Sequence, residues 1–104
     1  LRRERLTVRE AVDAAVEACR PSVDAKRHTL TMDLPAEPLP VDGDRTRLVQ
    51  VVSNLVTNAA KYSEDGGRIT VAARREGGQA VVTVTDTGLG IAPEYHAAIF
   101  EPFK

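Results

Sequence analysis

Asn54-Leu-Val-Thr-Asn58-Ala-Ala-Lys61-Tyr62 decides how this chain is read. Its apolar residues belong to a longer stripe. Leu48, Val51, Val52, Leu55, Val56 and Ala59 recur at the spacing of one helical face. Asp44, just upstream, is a residue type that caps helix N-termini. Asp65-Gly-Gly67 ends the pattern after Tyr62. The spacing predicts a helix from Asp44 to Tyr62. On it, Asn54, Asn58 and Lys61 fall within about 60° of one another, along one flank of the apolar stripe rather than opposite it. Such a flank turned to solvent is the plain alternative. Against it, Asn is a poor helix-interior residue and occurs here twice on one face. A polar group at the edge of a core also needs a partner.

These residue types suit one kind of ligand. An amide oxygen is a hard, neutral donor for Mg²⁺, which takes one or two protein ligands together with water and phosphate oxygens. A lysine ammonium is a point charge for a phosphate. Tyr62 offers a ring for a base.

Downstream, Arg68 to Arg75 and Ala80 to Asp86 alternate as strands around the hairpin glycines Gly77-Gly78. Val82, Val84 and Asp86 share one face, so a carboxylate stands at a strand end. It opens Asp86-Thr-Gly88-Leu-Gly90-Ile91. The glycines permit close backbone approach and positive φ. No G-K-[ST] follows, which excludes a Walker P-loop. If the Val82 and Val84 face packs on the helices, Asp86 points into the same cleft as Asn54 and Asn58.

Upstream, Thr7-Val-Arg-Glu10 is a capping box. It starts a helix from about residue 8 to 26, with a kink or break expected near Pro21. His28 to Leu34 reads as a strand with Leu30, Met32 and Leu34 on one face. Val41-Asp42 reads as a very short one. Pro93 is expected to start a short helix running to Phe100.

With 104 residues the chain is one small domain. At 42% hydrophobic it can build a core, mostly of Val, Leu, Ile and Ala. A net charge of -1 gives no reason to expect nucleic acid or a membrane surface as partner. The lone Cys19 fits a reducing compartment and reads as a small core residue. No apolar run is long enough to span a bilayer. His28 opens a strand and reads as structural; His96 reads as surface or packing.

Both motifs together resemble the histidine kinase ATP-binding domain, in the superfamily of Hsp90, DNA gyrase and MutL. Residues 54–62 match its N box, N-x-x-x-N-A-x-K-Y, at every fixed position. Residues 86–91 resemble its G1 box, and Ile99-Phe-Glu-Pro-Phe103 is similar to its F box. The resemblance implies an α+β fold, a two-layer sandwich with helices on one face of a mixed, mostly antiparallel sheet. It implies ATP and Mg²⁺ as ligands, with Asn58 on the metal and Asn54 orienting phosphates or metal-bound water. Lys61 is implied to meet a phosphate and Asp86 the adenine amine. Tyr62, Gly88, Gly90, Ile91, Phe100 and Phe103 are implied to line the nucleotide. Hydrolytic relatives carry Glu where this chain has Asn54. An amide cannot act as general base, so phosphoryl transfer is favoured over hydrolysis.

The implied reaction moves the γ-phosphoryl group of ATP to a histidine on a separate dimerisation domain of the same protein. A response regulator acts downstream, in the cytoplasm, with the parent protein free to be membrane-anchored. The alternative is a non-catalytic nucleotide-binding or docking module. The family's second glycine box, next strand and last helix are not among these residues. The fragment is therefore expected to bind ATP weakly or not at all. It is also expected to self-associate through an open sheet edge beside Ala80–Asp86, with Val82 and Val84 partly uncovered.

Overall fold

The computed structural model describes residues 4–36, 39–77, 79–86 and 94–100, the last stretch by its backbone alone. Strand β1 (Glu4–Thr7) leads into helix α1 (Val8–Ala25). Strands β2 (Thr29–Asp33) and β3 (Pro40–Gly43) precede helix α2 (Arg45–Tyr62). Strands β4 (Arg68–Glu76), β5 (Gln79–Asp86) and β6 (Glu94–Phe100) follow. Four strands form one sheet in the order β2-β4-β5-β6, and β1 pairs with β3 in a separate ribbon. Only the β2–β4 pairing in the sheet is parallel. The architecture is α+β, as the sequence implies.

The capping residues act as their types dictate. The Thr7 hydroxyl accepts from the amide of Glu10 at 3.2 Å, and the Thr7 amide donates to the Glu10 carboxylate at 2.6 Å. That second bond, to the backbone of Thr7, is the main reason the Glu10 carboxyl lies below its usual range. Arg45 links both helix starts. It donates to Glu4 at 3.0 Å, which raises its own pKa, and it sits 3.6 Å from Glu10. Asp44 caps α2 by accepting from the amides of Thr46 and Arg47 at 3.0 and 3.3 Å.

The core lies between the helices and one face of the sheet. Val8, Val12, Val16 and Val23 of α1 meet Val52, Val56 and Ala59 of α2, over Ile69, Val71, Val82 and Val84. Each buried valine contributes about 1.5–3 kcal/mol relative to an exposed one. Cys19 is one of these small core residues, its thiol 3.4 Å from both the Ser53 carbonyl and the Thr57 hydroxyl.

Several expectations need correction. Residues 94–100 form a strand, not the helix expected from Pro93 onward. β6 pairs antiparallel with β5 along its whole length, from Asp86↔Glu94 to Ala80↔Phe100. The backbone groups on β5's second side require partners, and Tyr95, Ile99 and Phe100 are good strand formers. The tertiary pairing overrides the local helical signal.

For the same reason the open edge expected beside β5 is not there. β5 is an interior strand, and Val82 and Val84 are fully buried. The margins of the sheet are β2 and β6. Helix α1 also runs unbroken through Pro21. Met32 is 41% exposed, because β2 lies at a sheet margin, while Leu30 and Leu34 pack partly on the core. Strand β1 was not legible in advance; Leu6 is its one buried side chain.

Candidate functional site

The polar flank of α2 is more exposed than its spacing suggests. Val52 and Val56 are fully buried, and Ala59 and Ala60 join them. Asn54 stands about 160° around the helix from both valines. Asn54, Asn58 and Lys61 are all exposed. They therefore lie opposite the centre of the buried arc, not along its edge. The physical reason is α1, which packs on the Ser53, Thr57 and Ala60 side of α2 through Cys19. That rotates the buried arc away from Val51.

The rotation leaves apolar surface beside the amides. Val51 is 40% and Tyr62 67% exposed, and both fall within about 80° of Asn54 on the helix. Among the described residues, these two and Met32 are the exposed large hydrophobic side chains. The Lys61 ammonium sits 5.4 Å from the centre of the Tyr62 ring, a cation–π distance. The flank thus offers two amides, one cation and an aromatic face to a ligand.

Asp86 is the opposite case. It ends β5 on the face of Val82 and Val84, which packs on the helices, and it is 1% exposed. It pairs in register with Ile69 and Glu94. Neither carboxylate oxygen has a hydrogen-bond partner among the described residues. A buried carboxylate without donors is costly, so both oxygens have hydrogen-bonding capacity to spare.

Other implied contacts are placed less fully. Gly88, Gly90, Ile91 and Phe103 lie outside the described residues, and Phe100 is described only by its register opposite Ala80. Three surface cavities are lined by described residues, and none of the three includes Asn54, Asn58 or Asp86. One, of about 300 Å³, lies between the ends of α1 and α2 and reaches Lys61.

Two residues near the site escaped the sequence reading. The Lys26 ammonium donates to the Lys61 carbonyl at 2.9 Å and to the Ser63 carbonyl at 3.2 Å. Val51, assigned to the core stripe, is half-exposed beside Asn54. No local signal marks either, since both depend on where α1 meets α2. His28 is buried and structural, as expected, with Nε2 2.7 Å from the Glu64 carbonyl.

Residues 43–104 match the family described as histidine kinase-, DNA gyrase B- and HSP90-like ATPases. The histidine protein kinase DivJ of Caulobacter vibrioides is 40% identical over 104 residues, which are 100% of this chain and 17% of that protein. The sensor-like histidine kinase SenX3 of Mycobacterium tuberculosis is 38% identical over 92 residues, 88% of this chain and 22% of that protein. The chain therefore spans only a small part of the curated relatives it matches. Among solved structures, the mycobacterial sensor histidine kinase MprB superimposes with a TM-score of 0.73 at 31% identity, covering 86% of this chain and 58% of that one. The catalytic domain of histidine kinase ThkA gives 0.78 at 23% identity, over 88% of this chain and 62% of that one, a likeness of fold. The matched stretch takes in α2, the β4–β5 hairpin and the buried Asp86, and the chain belongs to the histidine kinase-, DNA gyrase B- and HSP90-like ATPase family.

Proposed function

We propose that residues 1–104 belong to the ATP-binding catalytic domain of a sensor histidine kinase. The observation that carries the reading is the buried Asp86 carboxylate, which meets no donor among the described residues. The exocyclic amine of adenine is a donor that fits it. Asn58 takes the role of Mg²⁺ ligand, Asn54 orients phosphates or metal-bound water, and Lys61 neutralises phosphate charge. Tyr62, Gly88, Gly90, Ile91, Phe100 and Phe103 complete the nucleotide surface. Bound Mg·ATP supplies the transferable γ-phosphoryl group and a divalent charge on its phosphates. The exposed amides and half-exposed apolar flank of α2 suit that ligand, and the relatives at 38–40% identity are histidine kinases.

The protein's part is positioning and charge neutralisation. Asn54, an amide, takes no proton from water, which favours transfer to another group over hydrolysis. The acceptor is a histidine on a separate helical dimerisation domain of the same protein. A response regulator is the next partner; the neighbour ThkA has been solved in complex with the response regulator TrrA. The reaction takes place in the cytoplasm. No helix among the described residues is long and apolar enough to cross a membrane.

Base preference tests the reading. Guanine presents a carbonyl where adenine presents its amine, so it would set an acceptor against Asp86. A site built to accept a hydrogen bond rejects such a mismatch strongly, by roughly 100-fold or more. In competition for a labelled ATP analogue on the full-length protein, GTP is expected to displace it far more weakly than ATP. Equal displacement would remove Asp86 from the base site.

A further inference from the structure

The last turn of α2 carries Lys61 and Tyr62, and a helix end is where backbone order is hardest to keep. Its final carbonyls have no partner within the helix. Here they are held from outside by the turn that follows α1. Lys26 donates its ammonium to the carbonyl of Lys61 itself, at 2.9 Å, and to that of Ser63. A cation at this position also complements the helix dipole. His28 extends the clamp. A carbonyl only accepts, so the His28 Nε2 facing Glu64 at 2.7 Å carries the proton and donates. Main-chain bonds tie the same two turns, from Gly66 to the Lys26 carbonyl at 2.9 Å and from Thr29 to the Gly67 carbonyl at 3.0 Å.

We infer that Lys26 is a positioning residue for the nucleotide site. It fixes the α2 terminus and thereby sets where the Lys61 ammonium and the Tyr62 ring stand. His28 supports it one turn further on. The inference rests on the nucleotide reading given above. Lys26 is not placed against the nucleotide; it acts through the backbone of Lys61.

The test is a double-mutant cycle in the full-length protein, with Mg·ATP affinity measured by calorimetry. Lys26→Met keeps the aliphatic stem and removes the donors. It is expected to weaken Mg·ATP roughly 3- to 10-fold, in the lower part of the range for residues coupled in one network. Lys26→Arg, which restores donors at similar reach, is expected to recover most of that loss. In a Lys61→Met background, Lys26→Met is expected to cost clearly less than in the unaltered protein, retaining only the part that comes from displacing the Tyr62 ring. Amide hydrogen exchange over residues 59–66 is expected to quicken in Lys26→Met and return to normal in Lys26→Arg. Additive losses in the cycle, unchanged exchange, or failure of Arg to rescue would overturn the inference. If the unaltered protein binds no Mg·ATP, the nucleotide reading fails and this inference with it. The exchange data would then still report whether the clamp exists, so the two failures are distinguishable.

Discussion

Asp86→Leu is expected to cost the full-length protein about 10- to 150-fold in Mg·ATP affinity without costing it stability. The affinity loss is that of a hydrogen bond to a charged group, about 1.5–3 kcal/mol. The stability effect has the other sign. Asp86 is buried, and neither of its oxygens has a partner among the described residues. Replacing an unsatisfied polar group by an apolar one of similar shape is neutral or stabilising. A gain of about 1 kcal/mol would raise Tm by roughly 4–8 °C in a domain near this size. Opposite signs for affinity and stability mark a residue kept for binding. Calorimetric titration alongside thermal unfolding checks this. A variant that loses stability and affinity together would make Asp86 a structural residue.

Asn58→Ala is expected to lower phosphoryl transfer by about 100- to 1,000-fold, the usual loss when one group stabilising transition-state charge is removed. Its effect on the fold should be slight. Asn58 is exposed, and alanine is the better helix former, so stability should stay within about 0.5 kcal/mol. Incorporation of labelled phosphate into the full-length protein at saturating Mg·ATP measures it. Activity within a few-fold of the unaltered protein would take Asn58 out of the metal site.

Much of this was legible before any coordinate. Thr7 and Glu10 announce the start of α1, Asp44 that of α2, and Gly77-Gly78 the β4–β5 hairpin. Each is a local signal, and each is met. What failed depends on distant partners. Glu94–Phe100 contains Ala97 and Ala98, which suit a helix, yet the second side of β5 draws it into a strand. The apolar stripe of α2 counts Val51 as core. Small residues at Cys19, Ser53 and Ala60 let α1 approach on the other side and turn Val51 outward. The site shows the same division. The N-box residues could be named from spacing, but not how exposed they are. The face of Asp86 could be read from alternation, but its lack of a hydrogen-bond partner among the described residues could not.

Loop-closure entropy disfavours a start to folding where β2 meets β4. Between the paired residues Thr29 and Arg68 lie β3 and all of α2, so that parallel contact closes a long loop. The Glu76↔Gln79 hairpin closes almost at once, and β6 then adds to β5. Contacts of small sequence separation form first. The docking of the Lys26 turn onto the Gly66 turn is accordingly expected to come late in folding. Removing the Lys26 donors should then speed unfolding and leave the folding rate nearly unchanged, the pattern of an interaction absent from the transition state. Denaturant-jump kinetics on Lys26→Met would show it in the unfolding limb alone. An equal effect on the folding limb would place the clamp in the nucleus. On this ordering, the turn that presents Lys61 locks late and lets go early.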